Sequence, residues 1–317
     1  MTDFRLGIML ASQAPWNELS AAARQVDRLG YDHIWTWDHL HSIVGDPQGP
    51  IHEGYAVLAA WAAATERVRL GLLVGANTFR NPGVVAKAIT TIDHVSGGRA
   101  IAGLGGAWFR YEHDAHGIEF GASVGERLRW LDEAAAAVRT LLDGGTVTSD
   151  PDGRYAFREL RQAPPPIQRR LPIMIGGGGE QKTLRTVARY ADYWNVSAPL
   201  EALVRKRSIL TDHCADIGRD PAGITATTGC WLLIRDTEAE ARQVFDAQLS
   251  GWGQDPARWH EQNAYRAFIG PPELIAERLR EHAAAGFDGS IVELASPIDG
   301  ETIERLIGEV KPLVDQA

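Results

Sequence analysis

The chain has 317 residues, 44% hydrophobic and 23% charged, a balance that supports a large buried core and excludes a disordered chain. Its formal net charge of -9 excludes a general nucleic-acid binder, so any anionic ligand must be held by local donors. Cys214 and Cys230 lie in unrelated segments without metal-ligand spacing, which fits a reducing, cytoplasmic compartment, and the sequence shows neither a signal-peptide pattern nor the roughly 18 uncharged residues of a membrane span.

In chain order, short β-rich runs alternate with longer helical patterns, as in a parallel sheet with helical crossovers. Strands are predicted at 5–10, 32–36, 69–74, 99–102, 172–175, 193–196, 225–234 and 289–292. Helices are predicted at 17–29, 55–65, 82–95, 125–142, 181–191, 201–217, 237–249, 272–285 and 301–314. Eight strands with intervening helices predict one (β/α)8 TIM-barrel domain over residues 1–317. Two stretches exceed ordinary connections, about 103–170 and 251–270, and are expected as insertions at the carboxyl-terminal face. Within the first, DPDGRY (150–155) reads as a hairpin turn.

In such a barrel the active site is built where strands end. After the second strand, Trp37, Asp38 and His39 offer an aromatic face, a carboxylate and an imidazole that handles protons near neutral pH; the competing reading is a capping Asp beside a solvated His. His41 reads as a rim residue. After the third strand comes VGANTFRNP, where Asn77 and Arg80 supply hydrogen-bonding groups and the turn Leu73–Val74–Gly75 is a candidate for a cis peptide. After the fourth, GLGGAWFRYEHDAHG permits close approach to a ligand, with Trp108 as an aromatic wall. His113 and His116 are three apart, but neither they nor His52–Glu53 complete H-E-x-x-H, so no metal is expected.

The fifth strand runs into Gly176, Gly177, Gly178 and Gly179 and then directly into a helix pattern. Glycines let successive backbone N–H groups approach a ligand, and the helix N-terminus adds partial positive charge, so the segment reads as an anion cradle. It matches neither the spaced dinucleotide fingerprint nor the Lys-Ser/Thr phosphate loop. Arg80, Lys87, Arg169, Arg170, Lys182 and Arg185 are expected near the rim; solubility is the competing role for all six and the favoured one for Lys87 and Arg185.

Taken together, LGYDHIWTWDHLH (29–41), the run 45–74, NTFRNPGVVAKAITTIDHVSGGR (77–99), GLGGAWFRYEHDAHGI (103–118), GERLRWLDEA (125–134), the glycine run and HCADIGRDP (213–221) resemble the luciferase-like monooxygenase superfamily, and within it the branch that uses the deazaflavin coenzyme F420. The resemblance implies a (β/α)8 barrel with the cofactor across the strands' carboxyl ends. It implies that Asp38 and His39 contact the deazaflavin ring, with His39 handling the proton, that Val74, Gly75, Ala76 and Asn77 support the ring, and that Gly176 to Gly179 hold the cofactor phosphate. Hydride transfer between F420 and a small organic substrate held by Trp37, Trp108 and Trp194 is the expected reaction. An FMN-dependent monooxygenase of the same superfamily is the alternative, and a non-catalytic deazaflavin-binding protein the alternative of another class. A homodimer, and a reductase or dehydrogenase that supplies the reduced cofactor, are further implications. The sequence departs from the branch in reading VGANT where relatives often read VTGNT, and in offering Gln13 and Ala107–Trp108 where sugar-phosphate dehydrogenases place carboxylates, which speaks against a sugar-phosphate substrate.

Overall fold

A computed structural model describes residues 4–151 and 153–316. Eight parallel strands close into a barrel: β1 (Arg5–Leu10), β2 (His33–Thr36), β3 (Arg69–Leu72), β4 (Ala100–Leu104), β5 (Ile173–Gly176), β6 (Tyr193–Val196), β7 (Thr225–Ile234) and β9 (Gly289–Leu294) pair in ring order, with β9 returning to β1. A short β8 (Ala267–Gly270) pairs only with Trp231–Ile234, the part of β7 that overruns the ring. The predicted barrel is therefore the observed one, with β8 as an addition.

The strands are buried on both faces. Between sheet and helices lies an aliphatic layer that includes Ile8, Ile34, Leu70, Ile173 and Val292. Inside the ring sit Met9, Trp35, Ile101, Met174, Tyr193, Trp231 and Ile291. Fully burying side chains the size of Met9 or Ile291 contributes about 1.5–3 kcal/mol each.

Helices fill the crossovers: α1 (Trp16–Leu29), α2 (Gly54–Ala64), α3 (Pro82–Ser96), α4 (Arg110–His116), α5 (Val124–Leu142), α6 (Thr183–Tyr190), α7 (Leu200–Ala215), α8 (Glu238–Gly251), α9 (Pro256–Asn263), α10 (Pro272–Ala284), α11 (Gly300–Arg305) and α12 (Lys311–Asp315), with one wider helical turn at Leu306–Val310. Their starts follow side-chain chemistry. The Ser123 hydroxyl accepts from the Glu126 N–H while the Glu126 carboxylate accepts from the Ala122 N–H, so two free donors at the start of α5 are satisfied together. Asn81 ahead of Pro82 opens α3, and Thr237 opens α8, by the same acceptor chemistry.

The first insertion supplies walls of the cavity described below, and the second packs beside the end of β9. Residues 103–170 contain α4, α5 and a strap whose Val147 and Leu160 pair in antiparallel fashion; the Tyr155 hydroxyl donates to the Asn77 carbonyl beyond the end of β3. In the expected turn at 150–155, the Gly153 N–H donates to the Asp150 carbonyl at 3.0 Å, and Asp152 lies outside the described residues. Residues 251–270 hold the end of α8, α9 and β8; Trp252 donates through Nε1 to the carbonyl of Ser296, just past β9.

Candidate functional site

A cavity of about 370 Å³ opens at the carboxyl ends of the strands. Among its walls are Met9 from β1, Trp37, Asp38 and His39 after β2, Val74 and Ala76 after β3, Trp108 after β4, Gly176 and Gly177 at the end of β5, Asn195 from β6 and Glu293 from β9. Residues distant in sequence therefore converge because parallel strands bring all their carboxyl ends to one face.

His39 is the best-organised proton-handling group there. Its Nδ1 lies 3.0 Å from Oε1 and 3.1 Å from Oε2 of Glu112, a buried carboxylate on α4 that also accepts from the Leu40 N–H at 2.9 Å. With Nδ1–H donated to that carboxylate, Nε2 carries the lone pair and has no protein partner among the described residues. Trp108, 63% exposed, stands edge-on to the imidazole with ring centroids 5.6 Å apart and forms the outer wall; Trp37 is 6.4 Å from it on the inner side.

Asp38 also lines the cavity, and its carboxylate is held by protein donors. It is buried, its two oxygens accept a bidentate pair from Arg80 at 2.8 and 3.0 Å, and Oδ2 also accepts from the Ala76 N–H at 2.9 Å. Burial pushes its carboxyl upward, while the Arg80 guanidinium and the amide pull it down. Both oxygens face donors only, so the geometry holds the carboxylate form. Arg80 also pairs with Glu53 and lies over the Tyr55 ring at 4.9 Å. Asp38 thus fixes the turn after β3, and Arg80 is not a free cation at the rim.

That turn carries a cis peptide between Leu73 and Val74, and beyond it Ala76 pairs with Gly105 so that β3 and β4 stay joined. Val74 and Ala76 line the cavity. Gly75 and Asn77 sit behind them. Gly75 is bonded both ways to the β4 extension. In the orientation that satisfies both groups, the buried Asn77 amide donates to the Gly105 carbonyl at 2.7 Å and accepts from the Leu131 N–H at 3.0 Å.

The glycine run turns outward from β5. Gly176 packs against Val74, where a Cβ would stand 2.9 Å from Cγ1, and Gly177 has φ +126°, a conformation that L side chains rarely adopt. The N–H groups of Gly178, Gly179 and Glu180 find no acceptor among the described residues, just ahead of α6. Lys206 Nζ donates to the Gly178 carbonyl at 2.6 Å, and Lys182, beside the run, donates to the Gly125 carbonyl at 2.9 Å. Three free donors on a glycine turn before a helix suit an anion.

Several expected site residues fall elsewhere. Trp194 is fully buried between sheet and helices, donating to the Gly177 carbonyl at 2.9 Å; its neighbour Asn195 faces the cavity instead. Arg169 and Arg170 precede β5 at the opposite end of the barrel, where Arg170 pairs with Asp192 at 2.7 Å. Lys87 is held on α3 by the Ala163 carbonyl, and Arg185 lies in a shallow depression beside His213. Sequence reasoning missed Glu112 and Glu293. Glu112 stands just before His113 in a stretch for which no helix was predicted, and the eighth barrel strand was expected to end at Val292. Among the described residues no three His, Cys, Asp or Glu side chains cluster as a metal site, and no helix is long and apolar enough to cross a membrane.

Fold and site together define a (β/α)8 barrel protein with a ligand-sized cavity, a glycine turn with unpaired N–H groups and a histidine–carboxylate pair at its carboxyl face. The chain belongs to the luciferase-like monooxygenase family, whose model matches residues 1–296. It is 28% identical over 282 residues to a phthiodiolone/phenolphthiodiolone dimycocerosates ketoreductase of Mycobacterium sp. (strain JLS), covering 78% of this chain and 70% of that one. An F420-dependent secondary alcohol dehydrogenase, solved with an F420-acetone adduct, superposes with a TM-score of 0.83 at 19% identity over 98% of this chain and 99% of its own. A monooxygenase from Streptomyces bottropensis superposes with a TM-score of 0.81 at 21% identity over 99% of both chains. Likenesses of this depth establish the shared fold.

Proposed function

We propose that the protein is an oxidoreductase that moves a hydride between coenzyme F420 and a small organic substrate, with His39 as the proton-handling residue. The observation that carries this reading is the pair His39–Glu112: a cavity-facing imidazole held in one tautomer by a buried carboxylate suits a reaction in which a proton accompanies each hydride. The secondary alcohol dehydrogenase and the ketoreductase named above are described by carbonyl–alcohol chemistry, which has that requirement.

The residues present fit such a cofactor. The free N–H groups of Gly178, Gly179 and Glu180 would hold its phosphate, and Val74 and Ala76 would back its ring. When bound, the deazaflavin supplies or accepts two electrons as hydride. Trp37 and Trp108 flank His39 and shape the space in which the substrate would lie. His39 Nε2 takes the proton from an alcohol oxygen, or returns one to a carbonyl oxygen, while Glu112 orients the ring and stabilises the imidazolium. Asp38 keeps the turn after β3 in place and touches no reacting atom.

A second reading is supported by the family itself and by the Streptomyces likeness: an FMN-dependent monooxygenase supplied with reduced flavin by a separate reductase. Anaerobic single-turnover reoxidation of reduced F420 by carbonyl probes tests the first reading. Turnover that needs oxygen and reduced FMN supports the second.

A further inference from the structure

Three carboxylates line the cavity, and two are fully engaged by the protein. Asp38 accepts from Arg80 and Ala76, and Glu112 accepts from His39 and Leu40. Glu293 accepts from no donor among the described residues. It stands on β9 in register with Met9 of β1 and Trp231 of β7, so all three point to the same side of the sheet, into the barrel. Neither neighbour serves it: Met9 has no donor, and the buried Trp231 Nε1 has no partner. On the adjoining β7 the nearby residue is Gly229, which has no side chain to offer; a Cβ there would stand 3.4 Å from Glu293 Oε1. Arg266 exerts an electrostatic pull on it but makes no ion pair with it, its Nε donating instead to Asn263. Burial holds the Glu293 carboxyl above its ordinary range. Glu293 is partly buried and faces the cavity, so a carboxyl without a protein donor there is left with hydrogen bonds that a ligand can complete.

We infer that Glu293 is a specificity-determining residue that binds a hydrogen-bond donor, a hydroxyl or an amine, on the substrate; this rests on the reading of the cavity as a substrate and cofactor site. It selects substrates that carry such a donor and disfavours those that offer only acceptors. Its place on the eighth barrel strand, across the ring from the β4 end that carries Trp108, lets it grip a part of the molecule remote from Trp108.

The test uses ring probes of equal size on the purified full-length protein at pH 8, with binding read by ligand-observed NMR. Cyclohexanol and cyclohexylammonium carry a donor, and cyclohexanone carries only an acceptor. Wild type is expected to bind the two donor probes about tenfold or more tightly than cyclohexanone, as loss of a hydrogen bond to a charged group implies. Glu293→Leu should erase both preferences, and Glu293→Gln should keep the alcohol and lose the ammonium. Equal binding of all three probes by wild type, or a preference that survives in Glu293→Leu, overturns the inference. If Glu293→Leu does not fold, retention of the ammonium preference by Glu293→Gln overturns it equally. F420 and FMN titrations of the same variants should match wild type. A tenfold loss of cofactor affinity would assign the residue to the cofactor and overturn the inference. Failure of wild type to bind either cofactor would instead sink the cofactor reading while leaving the probe preference standing.

Discussion

His39 Nδ1 lies 3.0 Å from Glu112 Oε1 although the residues are 73 positions apart, because β2 and α4 deliver them to the same side of the barrel mouth. The carboxylate also ties down the Leu40 N–H, so one buried group fixes both the ring and the backbone that carries it.

Replacing either residue separates chemistry from positioning. His39→Ala is expected to lower single-turnover hydride transfer by about 10²–10⁴-fold, the range for general acid–base catalysis, with the melting temperature little changed. Glu112→Gln keeps the shape but weakens the hold on the imidazole, so kcat should fall less than in His39→Ala, with KM unchanged. Added imidazole should restore part of the activity of His39→Ala and none in Glu112→Gln. Undiminished single turnover in His39→Ala contradicts the role.

Asp38 predicts a stability effect first. Asp38→Ala leaves Arg80, already mostly buried, without its bidentate partner and frees the Ala76 N–H. Removing one member of a buried pair costs about 3–5 kcal/mol. Urea unfolding should register that loss, and Asp38→Asn, which can still accept from the Ala76 N–H, should cost less.

Gly177→Ala tests the anion turn. At φ +126° an alanine is strained by about 1–3 kcal/mol, so the turn should readjust and its N–H groups lose their shared aim. Binding of F420 or of FMN should weaken by about tenfold or more, while the barrel's circular dichroism is retained. Cofactor binding at wild-type strength would remove the glycine turn from the site.

Acid stability depends on two buried histidines. Burial, reinforced by Arg5 and Arg69, lowers His33 to about 3, and burial with Arg278 nearby lowers His282 to about 4. Both folded values lie below the unfolded value near 6.5, so their contribution is complete above pH 6.5 and is lost as pH falls toward 4 and 3. Between pH 6.5 and 4 the unfolded chain takes up protons that the fold refuses, at about 1.4 kcal/mol per pH unit for each histidine. Glu293, whose folded value is raised, acts in the opposite sense: its contribution is greatest below its unfolded value and is lost as pH rises. His282→Gln should flatten the fall in stability between pH 6.5 and 4 by about one proton's worth, measured by urea unfolding across that window.

Most of the barrel is legible in the sequence because alternating strand and helix periods survive in the residues themselves. What is not legible depends on direction. A strand buried on both faces gives no alternation, so the sequence cannot say that Asn195, in register with Gly176, faces the cavity while Trp194 faces the helices. The seven-residue α4 sits among glycines and aromatics and reads as loop, which hid Glu112 from its partner on the far side of the chain. β8 escaped because it pairs only with the overrun of β7. The expected site residues that line the cavity, Trp37, Asp38, His39, Val74, Ala76, Trp108, Gly176 and Gly177, all lie at or just past strand ends, where the barrel itself dictates position.

The central claim is that this cavity holds a deazaflavin. Fluorescence titration of the purified protein with F420 and, separately, with FMN tests it most directly. The account predicts saturable F420 binding, with FMN at least about tenfold weaker and both weakened in Gly177→Ala. Tight FMN binding without detectable F420 binding would contradict it.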